Sequence, residues 1–386
     1  MERALLDHLG RSERAPGVVL PLLEALHDDS SLGRDRVREL ASACREEYAD
    51  DPWSLGRVND VLVALTDPAE HQVLALEQVD AFRRLANESD GIQRLLFLQQ
   101  AAEAARLAGA SSVADELRVE IEGLGPDDLA LRQLEVGVNV DASAIEGHIA
   151  WLVGSDGLES ALARLGSVVP SGSQPDNREF IEELRREHPL SSIFPTRVLG
   201  PANSVLVEVG AEDSLDHELT QHEARSAAFY STLLPRAIRG IIQKYGPDLE
   251  TLGNALTCDV VDASAARGIA RATLELCAGE ADVAGHLLAP RLERVIRSWV
   301  QSLGIPVTTD ATGRRVGGVR GLGSLISALN GHIDESWRRY LRAVFDPRGL
   351  NLRNRILHGL VDEVDETAGG LMIHIACAVR FGRLTG

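Results

Sequence analysis

Aromatic residues make up only 4% of this 386-residue chain, so leucine, valine, isoleucine and alanine must fill its interior. Cysteine is almost as scarce. Cys44, Cys258, Cys277 and Cys377 stand far apart, with no C-x-x-C pair and no zinc spacing. That argues against a disulfide framework or a structural zinc site and predicts reduced, buried thiols. No apolar stretch reaches the roughly 18 residues needed to span a bilayer, and nothing near Met1 joins a basic start to an apolar run and a cleavage site. Both absences lead us to expect a cytoplasmic protein with no membrane contact. What is present is ordinary for a soluble protein: 44% hydrophobic and 25% charged residues. The length suggests two domains, or one with a long extension.

The net charge of −19 argues against a general nucleic-acid coat protein, because affinity for a polyanion comes largely from neutralising phosphates with lysine and arginine. The charge is unevenly spread. Between His286 and His358 there are 12 arginines and no lysine against 5 acids, a local +7 that leaves −26 for the rest. Any one of these arginines reads equally well as a solvated helix face; the clustering is the informative feature.

Helical spacing of apolar residues recurs up to about residue 165, in Pro21 to Leu26, Val58 to Leu65 and Val73 to Phe82. Ile92–Leu107 and Ser112–Ile121 form a predicted helical hairpin about Ala108 to Ser111, and several such pairs would stack as a solenoid-like or bundled array. From residue 166 to 204 the chain carries Pro170, Pro175, Pro189, Pro195 and Pro201, so this stretch is the expected linker between an N-terminal region (1–165) and a C-terminal domain (205–386). One short helix is expected at Asn177–Glu187 and a strand at Ser204–Val209. Helical pattern resumes at Leu215, with breaks expected at Pro235 and Gly246-Pro247. Ala281–Leu303 is the clearest amphipathic helix, with Leu288, Leu292, Val295, Ile296 and Trp299 on one stripe and Arg291, Arg294 and Arg297 opposite. A loop or small hairpin (305–323), helices at Leu325–Leu329 and Glu335–Phe345, and a closing core helix at Leu371–Phe381 complete an all-α expectation.

The stretch Gly349 to Leu360 is where reactive side chains crowd beside a strong helix pattern. Asn351 is the expected N-cap and Gly359 the expected stop. Asn354 and His358, four apart, share a face, whereas Arg353 and His358 diverge by roughly 140° around the axis. Imidazole, with an unperturbed pKa near ~6.5, can move protons at cellular pH, and a guanidinium can hold a phosphate and the charge that develops on it. Other signals are weaker. Gly317 to Gly323 could cradle a phosphate but lacks the Walker lysine, and His217-Glu218 with His222-Glu223 misses H-E-x-x-H by one residue. There is no Ser/His/Asp nucleophile elbow.

Arg353-Asn354, a short gap and His358-Gly359, preceded by the block Gly285 to Glu293, resembles the signature of HEPN domains, in particular a branch long catalogued only as a domain of unknown function. The resemblance covers about residues 205–386. It implies an all-α bundle acting as a metal-independent endoribonuclease, with no cofactor, at a composite site between two subunits, leaving a cyclic phosphate and a 5′-hydroxyl. By the same resemblance His358 is the acid/base, Arg353 the phosphate clamp and Asn354 the residue that orients them. Arg348, Arg355, His286 and Arg291 are further substrate-contact candidates, each also explained as a structural or solvated residue. Proteins of this kind are often toxins or defence effectors, with the N-terminal region binding a trigger, an antitoxin or another regulator. The competing expectation is a HEPN-like protein that binds RNA or a nucleotide, or only dimerises, without catalysis.

Overall fold

The computed structural model describes residues 1–9, 15–28, 33–132, 140–154, 156–189, 196–200, 203, 205–210, 212–311 and 317–381. The fold is all-α: among the described residues there are nineteen helices and two short hairpins. No helix among them is long and apolar enough to cross a membrane. The chain divides into two compact units, 1–136 with 200–204, and 137–199 with 205–386. The division therefore falls before the proline-rich stretch and not within it. Residues 137–165 belong to the second unit because Leu152, Ala161, Leu162 and Leu165 enter its core.

The first unit stacks helices in series: α1 (Glu2–Leu9), α2 (Pro16–Asp28), α3 (Arg34–Glu47), α4 (Pro52–Leu65), α5 (Pro68–Asn87), α6 (Gly91–Leu107) and α7 (Ser111–Glu122). Prolines open α4 and α5, where the missing N–H has no helical partner to lose. The Asp51 carboxylate caps α4 by accepting from the amides of Trp53 and Ser54. Each of α3 to α7 packs on its neighbour in sequence, the serial arrangement expected of a solenoid-like array. The interior is two clusters rather than one, and α5 feeds both, Leu74 into the first and Val79 and Phe82 into the second.

In the second unit come α8 (Ala142–Val153), α9 (Leu158–Leu165), α10 (Gln174–Glu187), the hairpin β1 (Thr196–Leu199) and β2 (Val205–Val209), α11 (Ser214–Ser231), α12 (Leu234–Tyr245), α13 (Leu249–Leu256), α14 (Ala263–Ala278) and α15 (Ala281–Ser302). There follow the hairpin β3 (Thr308–Thr309) and β4 (Gly318–Val319), then α16 (Leu322–Ala328), α17 (Glu335–Phe345), α18 (Leu352–Leu357) and α19 (Glu366–Arg380). The break expected at Pro235 is present: α11 ends at Ser231, and Pro235 lies in the first turn of α12, where its missing N–H has no helical partner to lose. Gly246 ends that helix in the left-handed region, which glycine adopts without a steric penalty.

One continuous core organises the unit, and α19 runs through it, buried at every position from Ala368 to Val379. At its centre Nε2–H of His374 donates to the Val168 carbonyl at 3.0 Å, so Nδ1 accepts from the Tyr340 hydroxyl at 3.1 Å. Burial pushes this imidazole down to about 4, against the pull of the Val168 carbonyl. The folded chain thus refuses a proton that the unfolded chain takes up below pH ~6.5, and stability falls as the pH drops from there towards 4. The shift corresponds to about 3 kcal/mol. Urea melts across that window should show the decline, and His374→Asn, less stable at pH 7, should flatten it.

Cys44 and Cys377 are buried, and all four thiols are free. Desolvation raises the Cys44 and Cys377 thiols to about 11 and about 12, which leaves them protonated and inert.

Candidate active site around Arg353 and His358

A tight turn delivers α18. The Asp346 carboxylate accepts from the Arg348 amide at 2.9 Å, and its carbonyl accepts from the Gly349 amide at 2.9 Å. The Leu350 amide then reaches back to the Ala343 carbonyl of α17 at 2.8 Å. A side chain at 349 would place Cβ 2.1 Å from that carbonyl oxygen, so only glycine lets the two segments meet. Gly349→Ala should displace α18 and cost about 1–3 kcal/mol, as overpacking does, with the loss read from chemical denaturation.

Asn351 does not cap α18 in the expected way. It sits in the left-handed region at φ 53°, and its side-chain oxygen accepts from Asn354 Nδ2 at 2.8 Å rather than from a backbone amide. The helix stop is as expected. Gly359, at φ 63°, allows the Leu360 amide to bond the Arg355 carbonyl at 2.8 Å and its own amide to bond that of Ile356, a Schellman closure.

The two sequence blocks meet in space. Arg353 donates from Nε to Glu293 Oε2 on α15 at 2.8 Å, with Nη2 also 2.8 Å from that oxygen, and from Nη1 to Asn354 Oδ1 at 2.9 Å. Glu293, only 14% exposed, accepts from Arg297 as well, at 2.6 Å. A polar chain therefore runs from Arg297 through Glu293, Arg353 and Asn354 to Asn351. Of the five guanidinium N–H groups, one each on Nη1 and Nη2 has no partner among the described residues, and the side chain is 26% exposed. That edge has the shape for two phosphate oxygens.

His358 terminates α18 and is exposed, with no side-chain hydrogen bond among the described residues. His286, on α15, is also exposed, and its Nδ1 lies 3.0 Å from the Asp282 carbonyl. Arg355 is exposed, with no ion pair among the described residues. Arg348 and Arg291 are engaged internally. Arg291 donates to the Leu287 carbonyl, and its guanidinium covers Gly268, where a Cβ would meet Nε at 1.8 Å. Arg348 pairs with Asp346 and with Asp216 of α11, and its carbonyl accepts from Gln221.

Asp216 is the centre of an ion-pair network that the local sequence does not announce. It takes Arg339 at 2.7 Å, Arg342 through both oxygens and Arg348 at 3.1 Å. Burial alone would raise its carboxyl, but Arg342 and Arg339 outweigh that and hold it well below the usual carboxylate range. Arg339, 5% exposed, also donates from Nε to Glu223 at 2.6 Å and from Nη2 to Thr220. This network clamps α17 and the turn before α18 onto α11. Ion pairs here and elsewhere take up much of the basic island: Arg339, Arg342 and Arg348 pair with Asp216, Arg297 and Arg353 with Glu293, Arg338 with Glu335 and Arg294 with Asp262. Arg314 and Arg315 lie outside the described residues.

The near-miss histidine motif is dismantled by the same contacts. Glu223 serves Arg339, Glu218 serves Arg185, and the His222 ring packs on Phe180 with centroids 4.9 Å apart. No cluster able to hold a metal occurs among the described residues. Within the glycine-rich stretch, Gly318 belongs to β4 and Gly321 precedes α16. Comparison with known families, with curated proteins and with solved structures finds no match to this chain.

Proposed function

We propose that the second unit is a HEPN-type, metal-independent endoribonuclease, with Arg353, Asn354 and His358 as its working residues and RNA as its substrate. The observation that supports this most is the division of labour on α18: Arg353 and Asn354 are oriented by Glu293 and Asn351, while His358 stands exposed with its imidazole uncommitted. In the reaction a base removes the 2′-hydroxyl proton and the oxygen attacks phosphorus. The bond to the 5′-oxygen breaks, and an acid protonates that oxygen, leaving a 2′,3′-cyclic phosphate and a 5′-hydroxyl. Arg353 would hold the non-bridging oxygens through its free Nη edge and stabilise the charge of the pentacoordinate species. Leu357 and Leu360, exposed on either side of His358, favour a second copy of the chain as the wall that completes the site. A role as toxin or defence effector, restrained through the first unit, fits this chemistry.

The test is incubation of purified protein with total RNA in excess chelator, beside Arg353→Ala and His358→Ala. Cleavage by the parent alone, with cyclic-phosphate ends, is expected. If all three proteins cut alike, or none cuts, the non-catalytic RNA-binding or dimerisation reading replaces it; the internally paired arginines are the observation in its favour.

A further inference from the structure

A strand of RNA brings more than one negative charge to the site, and Arg353 answers only the phosphate that is cut. Resting on the nuclease reading, we infer that Arg297 is a second phosphate clamp, which takes the phosphate next to the scissile one and favours substrates with two or more phosphodiesters.

Glu293 places the two arginines together. Its carboxylate is shared, with Oε1 2.6 Å from Arg297 Nη2 and Oε2 2.8 Å from both Nε and Nη2 of Arg353. The two oxygens of one carboxylate are ~2 Å apart, so the two Nη2 atoms lie within about 8 Å of each other. Successive phosphates of one strand fall within that span. Arg297 follows Glu293 by one turn of α15, so both side chains leave the helix on the face that meets Arg353 of α18.

The charge balance of the pair is incomplete. Two guanidinium groups share one carboxylate, and neither makes another ion pair among the described residues, so one positive charge is left over where all three side chains are largely buried. The donors are incomplete as well. Nε of Arg297 is sealed from solvent without a partner, whereas Nη1, also without a partner among the described residues, is not sealed and meets solvent. An ion pair along one helix needs a single arginine. A second, drawn to the same carboxylate against like-charge repulsion, has an anion as its natural complement. One phosphate on the Nη edge of Arg353 and its neighbour on Nη1 of Arg297 would meet these donors and bring the missing negative charge.

The experiment compares cleavage of UpU, which has one phosphodiester, with UpUpU, which has two, by the parent, Arg297→Gln and Arg297→Lys. The parent should favour UpUpU in kcat/KM by about 10-fold, the worth of one hydrogen bond to a charged group. Arg297→Gln should erase that preference, and Arg297→Lys, which keeps a charge beside Glu293, should retain part of it. A parent that cuts the two within twofold overturns the second clamp and leaves the nuclease reading standing. So does an equal loss on both substrates in Arg297→Gln, since Arg297 then acts only by holding Glu293. If the parent cuts neither RNA, the nuclease reading falls, and the clamp is decided by calorimetric titration with the uncleavable 2′-deoxy analogues dTpT and dTpTpT. Tighter binding of dTpTpT by about 10-fold, with the gap closed in Arg297→Gln, sustains the paired site; equal or undetectable binding of the two overturns it.

Discussion

Arg339→Ala should cost about 3–5 kcal/mol of folding stability, the range for breaking a buried ion pair from one side. The reason is what remains. Glu223 is 1% exposed and would keep its charge, or take up a proton, without its ion-pair partner; Asp216 would lose one of its three guanidinium partners. Burial already pushes the Glu223 carboxyl up against the pull of Arg339. The double variant Arg339→Met with Glu223→Leu removes both buried charges and should recover much of the loss, since a well-packed apolar pair often equals a buried salt bridge. Denaturant midpoints for the single and double variants decide this, and a single variant within 1 kcal/mol of the parent would show that the network is not a structural support. Acid should act on the same place. The depressed Asp216 carboxyl contributes stability that is complete above its unfolded value, and the contribution erodes as pH falls below about 4.

If the proposed nuclease reading holds, Arg353→Ala and His358→Ala should both abolish cleavage, by about 100-fold or more, yet differ in their effect on stability. His358 is an exposed helix end, and its removal should leave the melting curve within about 0.5 kcal/mol of the parent. Arg353 is tied to Glu293 and Asn354, so its loss should also cost stability, about 1–3 kcal/mol for a hydrogen-bonded charge left with fewer partners. Arg353→Lys tests the geometry: an ammonium can meet Glu293 but cannot reproduce the planar fork towards two oxygens. It should regain stability without regaining activity. Measuring thermal denaturation and cleavage on the same preparations separates the two contributions, and recovery of activity in the lysine variant would argue against a bidentate phosphate clamp.

Much of the helix order was legible because the relevant signals are local. Glu335–Phe345 emerged as α17 at its expected bounds, and the stops at Gly246 and Gly359 follow from glycine's tolerance of the left-handed region. The non-local features were not legible. Asp216 and Arg339 are 123 residues apart, and no pattern near either marks the other. The basic island was a property of a window along the sequence, while neutralisation is a property of space: Asp216 and Glu223 lie outside that window and pair with arginines inside it. Glu293 stood within a recognisable block, but only the α15–α18 packing discloses that it holds Arg353. Asn351 misled because asparagine serves equally well as an N-cap and as a left-handed residue, and the compact turn after Asp346 selects the second use.

The path of α19 has a consequence for how the protein comes into being. Gly166, near the start of the second unit, fits so closely against the backbone of Cys377 and Ala378 that a Cβ there would lie 2.6 Å from both. The helix it touches begins only after Arg353 and His358 have been made. The first unit has interior clusters of its own and can fold while synthesis continues. The second unit lacks its central helix until α19 has followed Arg353 and His358 out of synthesis, so a chain halted before α19 would carry those residues without the scaffold that aims them. Assembly of the arrangement around Arg353 would then follow the formation of α19 in a single step.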